Sequence, residues 1–169
     1  MQRNLNLQIK FRESFRPFAP AVLAEHAEEW FEFEGASPYM LFTAPVHPDK
    51  RVEVESDGAQ GLDKLKQVRS LVPAVTHVDW SARHQTVHRD TNPRFHALLE
   101  RFYGKTGCPV VINTSFNVRG EPIVCTPQDA FQCFMGTGLD MLVVENCVLY
   151  KTEQDAELAT PYREQFQLD

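Results

Sequence analysis

The 169-residue chain has no C-x-x-C pair, no apolar run approaching a membrane span and neither of the common phosphate-binding loops. Each absence narrows what the protein can be. The four cysteines, Cys108, Cys125, Cys133 and Cys147, lack the tight, repeated spacing of a zinc site or a disulfide framework. They are expected as reduced, packed thiols in an intracellular setting. A membrane-spanning helix needs about 18–20 consecutive apolar residues, and none is present. The opening stretch MQRNLNLQIKFRESFRPF carries scattered charge and no signal-peptide core. A soluble, cytoplasmic protein with no membrane partner is expected. Basic charge is also short: Lys and Arg number 17 against 23 Asp and Glu, a formal net charge of −6. Nucleic acid is therefore not an expected partner, because backbone binding needs a basic face. Of the six histidines, His84 and His88 are spaced i, i+4 within a strand-like stretch, and no third ligand stands with them. No protein-held metal is expected. Neither a Walker A loop nor G-x-G-x-x-G occurs, so any phosphate site must be built from side chains.

What is present reads as one α/β domain. With 43% hydrophobic and 24% charged residues, the chain can bury one compact core. Helical spacing of Val22, Leu23, His26, Ala27 and Trp30 predicts a helix over 17–33. Strands are expected at 38–46, 71–80 and 83–90, the last two joined by Ser81-Ala82. The charged stretch 47–70, with Asp57-Gly58, reads as an exposed excursion. Asn92 as N-cap, Pro93, and Phe95, Leu98, Leu99 and Phe102 at i, i+3, i+4 and i+7 predict a helix closed by Gly104 or Gly107. A strand PVVINTSF follows, then a helix from Thr126-Pro127 with Ala130, Phe131 and Phe134 inward. Two final strands turn near Glu145-Asn146, and residues 152–169 form a polar tail. The elements predict a single-domain, twisted mixed sheet with flanking helices over residues 1–151.

Three stretches carry concentrated polar chemistry. In VVINTSFNVRGEPIVCTP, an apolar strand ends in Asn113, Thr114, Ser115, Asn117 and Arg119. Arg119 offers a planar fork for phosphate or carboxylate, and the amides and hydroxyls supply neighbouring donors and acceptors. By strand alternation Asn113, Ser115 and Asn117 would share one face. The same residues also suit a capped turn bonded to local backbone. In KFRESFRPFAP, Lys10, Arg12 and Arg16 fall within seven residues, interleaved with Phe11 and Phe15. If extended, that stretch gives a cationic row backed by an apolar one, the form of a phosphate-binding wall; a solvated edge strand is the alternative. The third is Arg83 in DWSARHQTV, after a short turn.

These stretches, with TNPRFHALLERFYGKTGCPVVINTSFNVRGEPIVCTPQDAFQCF and GLDMLVVENCVL, resemble the C-terminal domain of the O-carbamoyltransferase family, which includes nodulation-factor, cephamycin and tobramycin carbamoyltransferases. The resemblance implies a YrdC-like fold with a cationic cavity. It implies that the domain takes carbamoyl phosphate and ATP to carbamoyl adenylate and pyrophosphate, with Mg2+ carried by the nucleotide. Transfer to a hydroxyl acceptor would require a Kae1-like N-terminal domain, which this sequence does not contain. A fragment, a split partner or a degenerate stand-alone copy is therefore expected. By the same resemblance, Lys10, Arg16, Arg83 and Arg119 line the anion cavity, and Asn113, Ser115 and Asn117 fix the carbamoyl group and the nucleotide phosphates. Arg12 and Thr114 are expected among the binding residues. A nucleotide or carbamoyl phosphate binding module without turnover, or an RNA-binding YrdC-like relative, are the alternatives.

Overall fold

The computed structural model describes residues 1–54, 61–159 and 161–166. In chain order the elements are α1 (Gln2–Asn4), continued by a π-helical turn over Leu5–Ile9, then β1 (Ala19–Leu23) and α2 (Ala27–Trp30). The strands β2 (Ala44–Pro45), β3 (Ser81–Ala82) and β4 (Gln85–Val87) precede α3 (Pro93–Thr106) and β5 (Val110–Asn113). The chain ends with α4 (Pro127–Gly136), β6 (Met141–Val144) and β7 (Cys147–Tyr150), and 3-10 turns join the elements. The α/β class holds, with a mixed sheet. Two compact units are formed, one from Pro17–Thr114 and the other from Met1–Arg16 with Ser115–Asp169.

In the Pro17–Thr114 unit β1 is the central strand, parallel to β4 and antiparallel to β5. All five of its residues are buried. Val22 packs with Trp30, Phe31, Val46, Ala82 and Val110, while Ala21 and Leu23 pack with Val87 and Leu99. Both faces of the strand are thus covered. The helix expected over 17–33 is therefore corrected to a strand followed by one short helical stretch, Ala24–Trp30. A strand covered on both faces is a continuous apolar run, which periodicity alone does not separate from a helix.

The α3 caps form as read. Asn92 Oδ1 accepts from the Phe95 N–H at 3.4 Å, Pro93 opens the helix, and Gly107 ends it at φ 71°. Its buried residues are His96 and Leu99, whereas Leu98 and Phe102, expected inward, are exposed. The strand expected over 38–46 shrinks to Ala44–Pro45, and Tyr39, Leu41 and Phe42 are exposed. Pro73–Val75 is a 3-10 turn within the expected 71–80 strand, and Ser81-Ala82, expected as a turn, is β3 paired with β2. Asp57 and Gly58 lie outside the described residues.

In the other unit a capping box fixes the start of α4. Thr126 Oγ1 accepts from the Asp129 N–H at 3.1 Å, and Asp129 Oδ2 accepts from the Thr126 N–H at 2.9 Å. The helix buries Ala130, Phe134 and Met135 with Leu142 of β6. Residues 152–169, expected as a polar tail, contribute Tyr162 to a second core with Val118 and Cys133. A Cβ on Gly136 would lie 2.2 Å from Tyr162 Cβ, so only glycine admits this approach. The expected extension of residues 9–16 is also corrected. The chain is helical to Ile9, Phe11 stands at φ 49°, and a turn bonds the Arg16 N–H to the Glu13 carbonyl at 3.2 Å. All four cysteines are free; Cys133 is buried and Cys108 half-buried, but Cys125 and Cys147 are exposed rather than packed. No helix among the described residues is long and apolar enough to cross a membrane.

Candidate functional site

The Met1–Arg16 and Ser115–Asp169 unit gathers six of the residues singled out in the sequence. Lys10 is 5% exposed. Its Nζ lies 2.9 Å from the Ser115 carbonyl, 2.5 Å from the Asn117 carbonyl, 2.8 Å from Asn117 Oδ1 and 3.4 Å from Ser115 Oγ. An ammonium has three protons, so these oxygens use its donors fully. Burial first, and then the Arg12 guanidinium, lower the Lys10 pKa to about 8. Lys10 therefore acts here as a clamp on the 115–117 loop.

The rest of that loop is held by its own polar groups. Ser115 Oγ donates to Asn117 Oδ1 at 2.6 Å, and Asn117 Nδ2 donates to the Glu121 carbonyl at 2.7 Å. The Val118 N–H donates to Glu121 Oε2 at 2.7 Å, and the Tyr162 hydroxyl donates to Glu121 Oε1. Gly120, at φ 78°, supplies the left-handed turn that the loop requires. The strand β5 ends at Asn113, so alternation does not run on to Asn117. Ser115 and Asn117 meet across a turn instead. Burial and Glu121 push the Cys133 thiol up to about 12, and burial first, then Glu121, raise the Tyr162 phenol above its usual range. A thiol with so little thiolate is no nucleophile.

Three of the four expected guanidiniums, Arg12, Arg16 and Arg119, belong to the same unit. Arg12 Nε donates to Asn6 Oδ1 at 2.6 Å, and the buried Asn6 amide bonds the Arg16 carbonyl at 2.8 Å. Burial, and then the Arg16 charge, lower the Arg12 pKa. Arg119 meets Glu13 at 3.1 Å, and Arg16 meets the same carboxylate at 3.8 Å. Its own backbone N–H first, then Arg119 and Arg16, hold the Glu13 carboxyl below its usual range. Glu13 thus presents one carboxylate to two arginines, a place an incoming anion can take.

The remaining expected residues lie in the Pro17–Thr114 unit. Arg83 is exposed between β3 and β4, and Thr114 is exposed just beyond β5. Asn113 Nδ2 donates to Gln85 Oε1 at 2.5 Å, and Gln85 Nε2 donates to the Pro38 carbonyl at 2.9 Å. Gln85 was missed from sequence, although it stands two residues after Arg83, as strand alternation requires of a neighbour on one face. His84, between them, is fully buried, stacked on Phe31 at 5.3 Å and edge-on to Phe33 at 4.6 Å. Neither ring nitrogen has a hydrogen-bond partner among the described residues, and burial lowers its pKa, opposed only in part by the Ala82 backbone. His88 bonds Thr86 Oγ1 at 3.0 Å, so the two histidines share no ligand geometry. Glu25, His96 and Glu100 come together, but the carboxylates face opposite ring nitrogens, Nε2 at 2.9 Å and Nδ1 at 3.7 Å. A metal ion takes one imidazole nitrogen, so this geometry is that of a ring held between two carboxylates rather than of three ligands about one ion.

Comparison with known proteins places the chain in a family. A family model described as carbamoyltransferase C-terminus matches residues 1–151. The chain is 55% identical to the uncharacterised protein sll1178 of Synechocystis, over all of this chain and 28% of that protein. It is 39% identical to nodulation protein NolNO of Sinorhizobium fredii, over 90% of this chain and 20% of that protein. It is 35% identical to the 3'-hydroxymethylcephem-O-carbamoyltransferase of Amycolatopsis lactamdurans, over 81% of this chain and 22% of that enzyme. The chain thus spans roughly a quarter of the length of these relatives. It belongs to the carbamoyltransferase C-terminus family.

Proposed function

We propose that this domain, with a YrdC-like fold, makes carbamoyl adenylate from carbamoyl phosphate and ATP on behalf of an O-carbamoyltransferase. The observation that carries the reading is the pairing of Arg119 and Arg16 with one carboxylate, Glu13, beside Arg12 and the Lys10-clamped loop. Two highly charged anions repel unless cations screen them. Fixed guanidiniums supply that screening and prepaid orientation. Ligand phosphates would take over the arginine contacts now made by Glu13. Asn117 and Ser115, held by Lys10, would orient the carbamoyl group. Atom balance requires that water release phosphate from carbamoyl phosphate. A carbamate oxygen then attacks the α-phosphorus of ATP, and pyrophosphate leaves. Magnesium would arrive on the nucleotide. No covalent enzyme intermediate is needed, in keeping with the thiol state of Cys133. Transfer to a hydroxyl acceptor is assigned to a Kae1-like N-terminal domain or chain.

The test is pyrophosphate release by the purified chain with ATP, Mg2+ and carbamoyl phosphate, with Arg119→Ala as control. Release that depends on carbamoyl phosphate is expected, and the variant should lose it with at least about tenfold weaker carbamoyl phosphate binding. Its melting temperature should barely change, since a partly exposed ion pair such as Arg119–Glu13 is worth about 0–1 kcal/mol. Binding without release would support the non-catalytic module. Neither binding nor release would overturn both. A large fall in melting temperature would show that Arg119 serves the loop rather than a ligand.

A further inference from the structure

Residues 152–166 lie past the segment that the family model matches, yet one of them reaches the loop of the candidate site. The stretch 155–159 is exposed throughout, whereas Tyr162, in the 3-10 turn Tyr162–Glu164, is 4% exposed. Tyr162 is therefore a single anchor at the end of an exposed strap rather than the edge of a continuous core. Gly136 of α4 makes room for it, and Phe166 meets its ring edge-on at 5.2 Å. The core that Tyr162 joins contains Val118, and Phe11 packs against it. Phe11 stands between Lys10 and Arg12, and Val118 between Asn117 and Arg119. The two segments are also tied backbone to backbone, the Arg119 N–H donating to the Lys10 carbonyl at 3.1 Å.

Packing alone would need only an apolar ring, which phenylalanine supplies. The hydroxyl does something further. It donates to Glu121 Oε1, while Glu121 Oε2 accepts from the Val118 N–H at 2.7 Å and the Glu121 carbonyl accepts from Asn117 Nδ2 at 2.7 Å. Glu121 is thus held at three points, and two of them fix the residues that precede Arg119. Burial and Glu121 keep the phenol protonated, so the donor persists through neutral and mildly alkaline pH. We infer that Tyr162 is a positioning residue of the anion site: its hydroxyl, acting through Glu121, sets the 117–119 backbone that carries Asn117 and Arg119. The inference rests on the proposed carbamoyl phosphate site and adds to it a residue from outside the matched segment.

Tyr162→Phe in the full chain keeps the ring and removes only the donor, so the fold is retained. Calorimetric titration with carbamoyl phosphate should show binding weakened about three- to tenfold, through loss of a hydrogen bond to a charged group. NMR hydrogen exchange should show the Val118 amide about tenfold less protected, with the amides of α3 unchanged. Glu121→Gln keeps the side-chain size but loses an acceptor, and should reproduce both changes. Phe166→Leu is the packing control. It should lower the melting temperature through the same core and leave affinity and Val118 exchange as they are. Affinity lost equally in Phe166→Leu, or faster Val118 exchange with unchanged affinity, would make Tyr162 part of the packing alone and overturn the inference. No change of either kind in Tyr162→Phe, with wild-type binding intact, would overturn it as well. A wild type that binds no carbamoyl phosphate would instead fail the underlying site, and the inference with it.

Discussion

The two compact units hold their polar residues in different ways. In the Pro17–Thr114 unit the sheet does the positioning. Gln85 and Asn113 meet because β4 and β5 flank a β1 whose five residues are all buried. In the other unit no strand among the described residues includes the 115–121 loop, and a buried ammonium, Glu121 and the Tyr162 hydroxyl hold it instead. The first arrangement rests on apolar packing, which does not titrate. The second rests on groups whose charge depends on pH and on one another. Precise placement can come from either, but only the second can be loosened without touching a hydrophobic core.

The largest expected effect comes from breaking the packed side of this comparison. Leu99 of α3 is fully buried against Leu23 and Val87. Leu99→Ala should cost about 2–5 kcal/mol, through lost burial and the cavity left behind. The urea midpoint reads the loss, which should be equal at pH 7.5 and pH 10. A pH-dependent loss would mean that the sheet is coupled to titrating groups after all.

Lys10→Met should have a smaller effect that depends on pH. Removing the ammonium leaves the Ser115 and Asn117 oxygens without their donor, a cost of about 1–3 kcal/mol near neutral pH, reduced because a buried charge also disappears. The folded pKa of about 8 lies below the ordinary lysine value of 10.5, so between these values the unfolded chain holds a proton that the folded chain has released. Stability from this group therefore rises as pH goes from 8 to 10.5. The variant lacks that rise, so the gap between wild type and Lys10→Met should widen in the wild type's favour across the window. A gap that narrows instead would show that the oxygens around Nζ outweigh its burial.

Which of these features the sequence disclosed follows from how local each one is. The α3 and α4 caps were legible because Asn92, Pro93 and Gly107, and Thr126 with Pro127, act within a turn of chain. The strand β1 was misread because its burial on both faces is a property of the sheet, and Val22 and Leu23 align with Trp30 at helical spacing by coincidence. The residue types of the candidate site were legible: Lys10, Ser115, Asn117 and Arg119 do converge. Their roles were not, because the Lys10 clamp joins residues 105 and 107 positions apart. Phe11, at φ 49°, likewise breaks the alternation on which the cationic row depended. Tyr162 in a core, from a stretch that reads as a polar tail, has no local signal at all.

His84 gives the smallest expected effect, and it runs in the opposite direction. It is a fully buried polar side chain packed against Phe31 and Phe33, with no hydrogen-bond partner for either nitrogen among the described residues. Leaving such a group unpaired costs about 1–3 kcal/mol, while its stacking on Phe31 and Phe33 returns about 0.5–1.5 kcal/mol per pair. His84→Leu keeps most of the burial and removes the unpaired nitrogens, so it should be neutral or stabilising by about 1 kcal/mol near pH 7. Because burial lowers the ring's pKa below 6.5, the unfolded chain takes up a proton first as pH falls through that value, and wild-type stability falls with it. The advantage of His84→Leu should therefore grow between pH 7 and pH 5, read from urea midpoints at each pH. An advantage that shrinks, or a variant destabilised at both, would show that the ring is satisfied in solution. The contrast between a packed unit and a polar one would then fail at the residue between Arg83 and Gln85.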